Sequence, residues 1–359
     1  MRRRLAAALR PAAAIGGALA AMAIAFALLG ASPLAVAADL ADGAFGNWIA
    51  FTDTLARATP LVFCGLAVAV AFHGALWNIG ADGQLVAGAL AAGALGPALG
   101  GAPHALAIAA IIGAGGLAGA LWGGLAGWLR ARRNVNEVIS TIMLNFIAAQ
   151  LLSWAVHGPL MEPSGAFPAS RKIAAAARLH LYFAPTRLNL AMLFAVALAA
   201  VCELGLFRTA AGFELRALGR NRRASAFFGM PIARLTVGAM ALSGMLAGFG
   251  GAVQVAAITH RLYETISPGW GYEAIAVALV ARLSPLGVVP AALLFGALDS
   301  GSQAMQRADG VSAQLVYVVQ ALAIIVMLAF DASAGGGWRE LLGGGASDAP
   351  DAAAEARDA

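Results

Sequence analysis

The chain has 359 residues, of which 61% are hydrophobic and 11% charged, with a mean hydropathy of +0.80 and 44 glycines. Soluble domains carry about 25% charged and about 45–50% apolar residues, so a soluble enzyme, a disordered regulator and a disulfide-rich secreted module are all excluded. The net charge of +5 comes from 22 Arg and the one Lys172 against 18 acids; basic inner loops of a membrane protein account for it without any nucleic-acid partner.

A helix needs about 20 mostly apolar residues to cross the hydrocarbon, so uncharged runs mark the crossings. They fall at 11–38, 58–81, 83–129, 138–161, 188–202, 235–260, 283–298 and 310–330. Gly96, Pro97, Gly100, Gly101 and Pro103 divide the longest run into two, near 83–99 and 104–129. A short piece at 272–282, ended by Ser284 and Pro285, brings the expected total to ten membrane segments. The expectation is an all-α, polytopic protein: a first helix and external connection over 1–54, the main bundle over 55–330, and a disordered cytoplasmic tail over 331–359.

Arg2, Arg3, Arg4 and Arg10 hold the N-terminus inside, and Arg130, Arg132 and Arg133 return to that side after four crossings. The 206–235 connection, with six Arg and Glu214 as its acid, is expected inside as well. The loop over 157–187 runs against the pattern, with Arg171, Lys172, Arg178 and Arg187 against Glu162. The basic start, the apolar run and Ala35 to Ala38 also resemble a secretory signal peptide. The run is long for one, so a retained helix is the reading preferred; the orientation downstream is the same either way.

Gly115, Gly119, Gly123 and Gly127 recur on one face of the fourth span, as do Gly244, Gly248, Ala252 and Ala256 in the seventh. Such stripes let helix backbones approach closely in lipid. Cys64 and Cys202 lie in apolar surroundings and read as small core residues.

Polar side chains inside an apolar run are costly and point to function. Asn78, Gly80, Asp82, Gly83 and Gln84 interrupt the second and third spans. They form either a simple inner turn or a broken helix facing a path or another helix; in both cases Asn78, Asp82 and Gln84 are expected to pair with neighbouring helices. Asn134 or Asn136 caps the fifth span, and Glu137 suits the positive end of its dipole. Glu137, Thr141 and Asn145 then share one face. Trp270, Tyr272 and Glu273, beside Pro268 and Gly269, are either an outer interface anchor or a re-entrant half-helix contributing to a gate.

The segment 215–231 reads as a short helix between Gly219 and Gly229, with Asn221 as its N-cap and Phe227 and Phe228 as exposed contacts. Inner-loop charge explains its arginines, whereas a capped aromatic helix suggests docking of a cytoplasmic partner. There is no phosphate-binding loop, metalloprotease motif or nucleophile elbow, so neither catalysis nor a cofactor is expected in this chain.

Four ordered motifs resemble the permeases of bacterial ABC importers: 78–84, 136–145, 216–224 with Gly229 and Arg234, and 274–287. The family serves branched-chain amino acids, ribose and nucleosides, and the first two motifs are most similar to its nucleoside and simple-sugar subgroup. Asp82 stands where Glu is usual there. The resemblance implies a ten-helix bundle like the vitamin B12 importer permease, working with a second permease, two ATPases that bind ATP and magnesium, and a substrate-binding lipoprotein. It assigns coupling to the ATPase to Arg216, Gly219, Asn221, Ala224, Phe227, Phe228, Gly229 and Arg234. The polar residues Asn78, Gly80, Asp82, Gln84, Asn136, Glu137, Thr141, Asn145, Trp270 and Glu273 are the expected solute pathway. The alternatives are an ion-coupled secondary transporter using a carboxylate such as Asp82 or Glu137, and an intramembrane enzyme, for which the chain shows neither nucleophile nor metal motif.

Overall fold

The computed structural model describes residues 32–165, 167–180, 186–187, 189–309, 317–318 and 321. Most of the expected first crossing, nearly all of the tenth and the C-terminal tail lie outside them. Its helices are α1 (Pro33–Phe45), α2 (Trp48–His73), α3 (Ala81–Leu95), α4 (His104–Arg133), α5 (Glu137–His157), α6 (Ala191–Arg208), α7 (Ala210–Arg220), α8 (Arg222–Phe227), α9 (Ile232–Gln254), α10 (Trp270–Val280) and α11 (Pro285–Asp309). Among the described residues, six are long and apolar enough to cross a bilayer: α2, α4, α5, α6, α11, and α9 with the π turn that extends it to Thr259. By contrast α3 and α10, at 15 and 11 residues, reach only ~22 and ~16 Å.

Most of the chain just before residue 55, expected as an external connection, is helical. Helix α1 runs on to Phe45, and Asn47 caps α2 by accepting from the Ala50 N–H at 2.9 Å. A span can begin among charges here because Arg57 pairs with Asp299 of α11 at 2.6 Å and donates to the Gln303 side chain at 2.6 Å. A search for uncharged runs stops at such a pair even though its charges are neutralised inside the fold.

Two units of opposite direction build the bundle. In the first, α2 descends, an irregular segment at 74–80 turns back, α3 starts part-way up, and α4 descends again. In the second, α9 ascends, the segment 260–269 turns back, α10 starts part-way down, and α11 ascends. Gly65 and Ala58 of α2 meet Val288 and Gly296 of α11, while Gly115 and Gly127 of α4 meet Ala252 and Met240 of α9. Both pairs are therefore antiparallel, and each half-helix packs on the long helix of the other unit, α3 on α9 and α10 on α2.

The two glycine stripes lie face to face at the α4–α9 crossing. A Cβ on Gly119 would run into the Gly244 carbonyl oxygen, one on Gly244 into the Gly119 oxygen, and one on Gly248 into the Gly115 oxygen. Lipid tails are as apolar as leucine, so close dispersion contact takes over what the hydrophobic effect does in water.

One end of the bundle is basic. Helix α4 finishes there with Arg130, Arg132 and Arg133 in its last turn, Asn134 turns the chain at φ 51, and Arg130 reaches Glu137 at 3.1 Å. At the opposite end the described charges of the discordant loop are partly neutralised. Arg187 pairs with Asp53 at 3.5 Å, Glu162 with Arg261 at 2.7 Å, and Arg178 donates to the Ile173 carbonyl.

Candidate functional site

Two places gather the polar residues, and the first is the junction of the half-helices. Helix α3 starts beside α5, where the Gly83 N–H donates to the Asn145 side-chain oxygen at 2.8 Å. Asn145 stands ~12 Å along α5 from Glu137, and a bilayer's hydrocarbon is ~30 Å thick, so the junction lies near half depth. The 78–84 segment is thus a re-entrant break within the bundle rather than a turn at its basic end. The α10 start follows suit: it is a half-helix reaching the same depth, not an anchor at the outer surface.

The polar side chains that make the break are each hydrogen-bonded to a neighbour, which suits an irregular backbone inside a membrane. Asn78 is fully buried; its amide donates to Gln84 Oε1 at 2.9 Å and to Ser243 Oγ of α9 at 2.7 Å, and its oxygen accepts from the Gly80 N–H and from Gln84. The Ser243 hydroxyl in turn donates to the Ala67 carbonyl of α2 at 2.6 Å. Gly80 leaves no room for a side chain, because a Cβ there would press on Thr141. Asp82 accepts from Ser267 Oγ at 2.6 Å and from the Gly271 N–H at 3.0 Å. Gly271 must be glycine, since a Cβ would overlap the Asp82 backbone. The Asp82 carboxylate therefore sits at the first turns of both α3 and α10, where two positive helix ends favour a negative charge.

Asn145 completes the junction by donating to the Ile79 carbonyl at 2.8 Å and to the Tyr272 hydroxyl at 2.9 Å. Trp270 is half-buried at the α10 start, and Glu273 lies one turn on. Thr141 is buried and donates to the Glu137 carbonyl. Asn136 and Glu137 are elsewhere: Asn136 caps α5 through the Val138 N–H at 2.9 Å, and Glu137 pairs with Arg130 at the basic end. Sequence reading did not place Ser243 and Ser267 in this network. Ser243 is one polar group beside a glycine stripe, and Ser267 precedes a Pro-Gly turn; neither has a local signal.

The second place is the α7–α8 hairpin at the basic end. One short helix between glycines was expected; two helices form, and Gly219 lies inside α7 rather than at a boundary. The reason is contact, since a Cβ on Gly219 would run into the His73 carbonyl at the end of α2. Asn221 does cap α8, accepting from the Ala224 N–H at 2.9 Å, and Gly229 ends it at φ +76. Arg216 turns inward, donating to the Leu206 carbonyl at 3.0 Å with its guanidinium 5.0 Å from the Phe207 ring centre. Arg220, Arg222 and Arg234 face outward, while Phe227 and Phe228 are 88% and 77% exposed. A groove of about 290 Å³, lined by Phe213, Arg220, Ala224 and Phe228 among others, runs between the two helices.

Residues 50–328 match the family described as branched-chain amino acid transport system / permease component. A glucose ABC transporter permease protein of Haloferax volcanii is 35% identical over 291 residues, covering 77% of this chain and 75% of the relative. A guanosine ABC transporter permease protein of Bacillus subtilis is 35% identical over 290 residues, covering 79% and 82%. A second guanosine permease of the same organism is 26% identical over 257 residues, covering 69% and 79%. No solved structure matches the chain. The half-helices, the glycine crossing and the exposed hairpin thus belong to a multi-pass membrane protein of that family: the chain is an ABC transporter permease subunit, a non-enzymatic membrane component whose ATP hydrolysis resides in a partner.

Proposed function

We propose that this permease carries nucleosides or simple sugars inward across the inner membrane as one half of a type II ABC importer. The observation that carries the solute class is the 35% identity, over most of both chains, to permeases named for glucose and for guanosine. The two guanosine permeases of one organism support a second, different permease as partner. The ten-segment bundle adds a crossing on either side of the eight segments α2–α6 and α9–α11, with both chain termini at the basic, cytoplasmic end.

Coupling runs through the α7–α8 hairpin. Exposed Phe227 and Phe228, the outward arginines and the groove between the helices suit insertion into a cytoplasmic ATPase, where ATP and magnesium bind. Gly219 seats the hairpin on the end of α2, and Arg216 braces it from within. ATP binding shifts the bundle only as far as the hairpin binds one ATPase arrangement better than another. A substrate-binding lipoprotein delivers solute at the far end. Asn78, Gly80, Asp82, Gln84 and Asn145 frame the path by fixing where α3 and α10 start, with Thr141, Trp270 and Glu273 beside it. Asn136 and Glu137 serve at its inner mouth.

The test is uptake of radiolabelled guanosine, ribose and glucose by cells with the transporter intact, with the ATPase deleted, and with a protonophore under maintained ATP. Loss on ATPase deletion is expected. Undiminished uptake without the ATPase, or collapse with the protonophore alone, sinks the reading.

A further inference from the structure

One polar group at the junction is not closed by any of the described residues. The Gly83 N–H fixes which end of the Asn145 amide accepts, so its nitrogen must be the end that donates to the Ile79 carbonyl and the Tyr272 hydroxyl. The Tyr272 oxygen is therefore an acceptor in this pair, and its own proton finds no acceptor among the described residues. Tyr272 is 44% exposed. Its depth follows from both neighbours: Asn145 is ~12 Å along α5, and Tyr272 is ~12 Å from the C-terminal end of α10, where Val277 and Val288 meet on Gly65. A donor left open to hydrocarbon at mid-bilayer carries a cost of several kcal/mol, so this face is not a lipid face.

We infer that Tyr272 is a solute contact on the transport path, its O–H donating to an acceptor on a nucleoside while the base lies against its ring. This rests on the reading of the chain as a nucleoside or sugar permease and narrows it to the first class. A purine or pyrimidine offers a planar face for stacking and ring nitrogens as acceptors, whereas a hexose offers the acceptors without the plane. Asn145 is the positioning residue: it holds the hydroxyl oxygen so that the proton points away from the bundle.

The experiment uses the complete transporter, with its own ATPases and binding protein, in cells. Uptake of guanosine, ribose and glucose by the unsubstituted transporter is measured first; if none enters, the proposed function itself fails, and if only a sugar enters, the assignment to nucleosides fails. Tyr272→Phe keeps the ring and removes the donor. Per assembled complex, it should lower guanosine uptake at saturating solute by roughly three- to tenfold, with the binding protein's guanosine affinity unchanged. Tyr272→Cys reports on the surface directly, against the background from Cys64 and Cys202, which are buried. A charged, membrane-impermeant thiol reagent should label it, and guanosine should slow the labelling. Labelling by a lipid-soluble reagent alone, no labelling at all, or labelling that guanosine does not slow overturns the assignment. So does transport by Tyr272→Phe at the unsubstituted rate while guanosine or glucose still enters.

Discussion

The half-depth junction and the α7–α8 hairpin are built from similar residues, and the fold treats them in opposite ways. At the junction, Asn78, Gln84, Asn145 and Asp82 are each hydrogen-bonded to a neighbour, and the adjoining crossing is so tight that backbones touch. At the hairpin, Asn221 closes the helix start and Arg216 closes a carbonyl, but Phe227, Phe228, Arg220, Arg222 and Arg234 are left facing out. Polar residues inside the bundle thus hold its broken backbone, while at the hairpin apolar residues are left exposed. A residue's type says little about which of these it does; its neighbours decide.

The tight interior is most vulnerable at the glycine crossing. Gly244→Leu places a side chain where the Gly119 carbonyl already sits, and no rotamer avoids it because the clash begins at Cβ. Overpacking a tight core costs about 1–3 kcal/mol and occasionally more. A backbone-to-backbone contact has no flexible end to yield, so the upper part of that range is expected. The folded subunit should be lost from the membrane, read as absence of monodisperse protein in detergent. Normal yield and normal melting of this variant would mean that α4 and α9 do not touch at Gly119.

Asn145→Ala comes next. It removes three hydrogen bonds, to Gly83, Ile79 and Tyr272. Bonds between membrane helices average roughly 0.6 kcal/mol each, so a destabilisation of about 2 kcal/mol is expected in thermal unfolding. The variant should still assemble, with reduced heat resistance. If melting is unchanged and transport alone is lost, the amide belongs to the solute rather than to the backbone.

Much of this fold is legible in the sequence, and the parts that are not have a physical cause. Apolar runs locate α4, α5 and α9 because each is a continuous stretch long enough for the hydrocarbon. Helix α1 and the first turns of α2 are hidden because Asp39, Asp42, Asp53 and Arg57 break the uncharged run, and Arg57 finds its counter-ion in Asp299, far away in the chain. The break at 78–84 announces itself by its polar residues, but its depth depends on Ser243 and Asn145 from two other helices. Trp270 and Tyr272 look like interface aromatics because nothing nearby in sequence says that Ser267 and Gly271 bind Asp82. The hairpin is the most legible region, since its cap, its terminal glycine and its exposed aromatics act within a dozen residues. Gly219 is the exception, because its role is set by the His73 carbonyl on α2.

Within the hairpin a small local effect is expected from Asn221→Ala. Loss of an N-cap costs about 1 kcal/mol, and with α8 only six residues long the loss should stay there. Hydrogen exchange should quicken at Ala224 and its neighbours, with the bundle amides unchanged. Spread of faster exchange into α9 would mean that the hairpin and the bundle open as one unit.

Phe227→Ala gives the smallest change in stability and the cleanest contrast with Asn145→Ala. The ring is 88% exposed and touches chiefly Phe228, at 5.8 Å between centroids. Removing exposed surface that packs on nothing else should shift stability by no more than about 0.5 kcal/mol. The partner ATPase is expected to behave differently, because a buried aromatic anchor carries a large share of an interface's binding energy. Retention of the ATPase through purification should fall at least tenfold while melting of the permease itself stays put. Asn145→Ala predicts the reverse, a less stable bundle that still holds its ATPase. If Phe227→Ala keeps its ATPase at the unsubstituted level, the exposed aromatics are not the docking element, and the outward arginines Arg220, Arg222 and Arg234 become the groups to test.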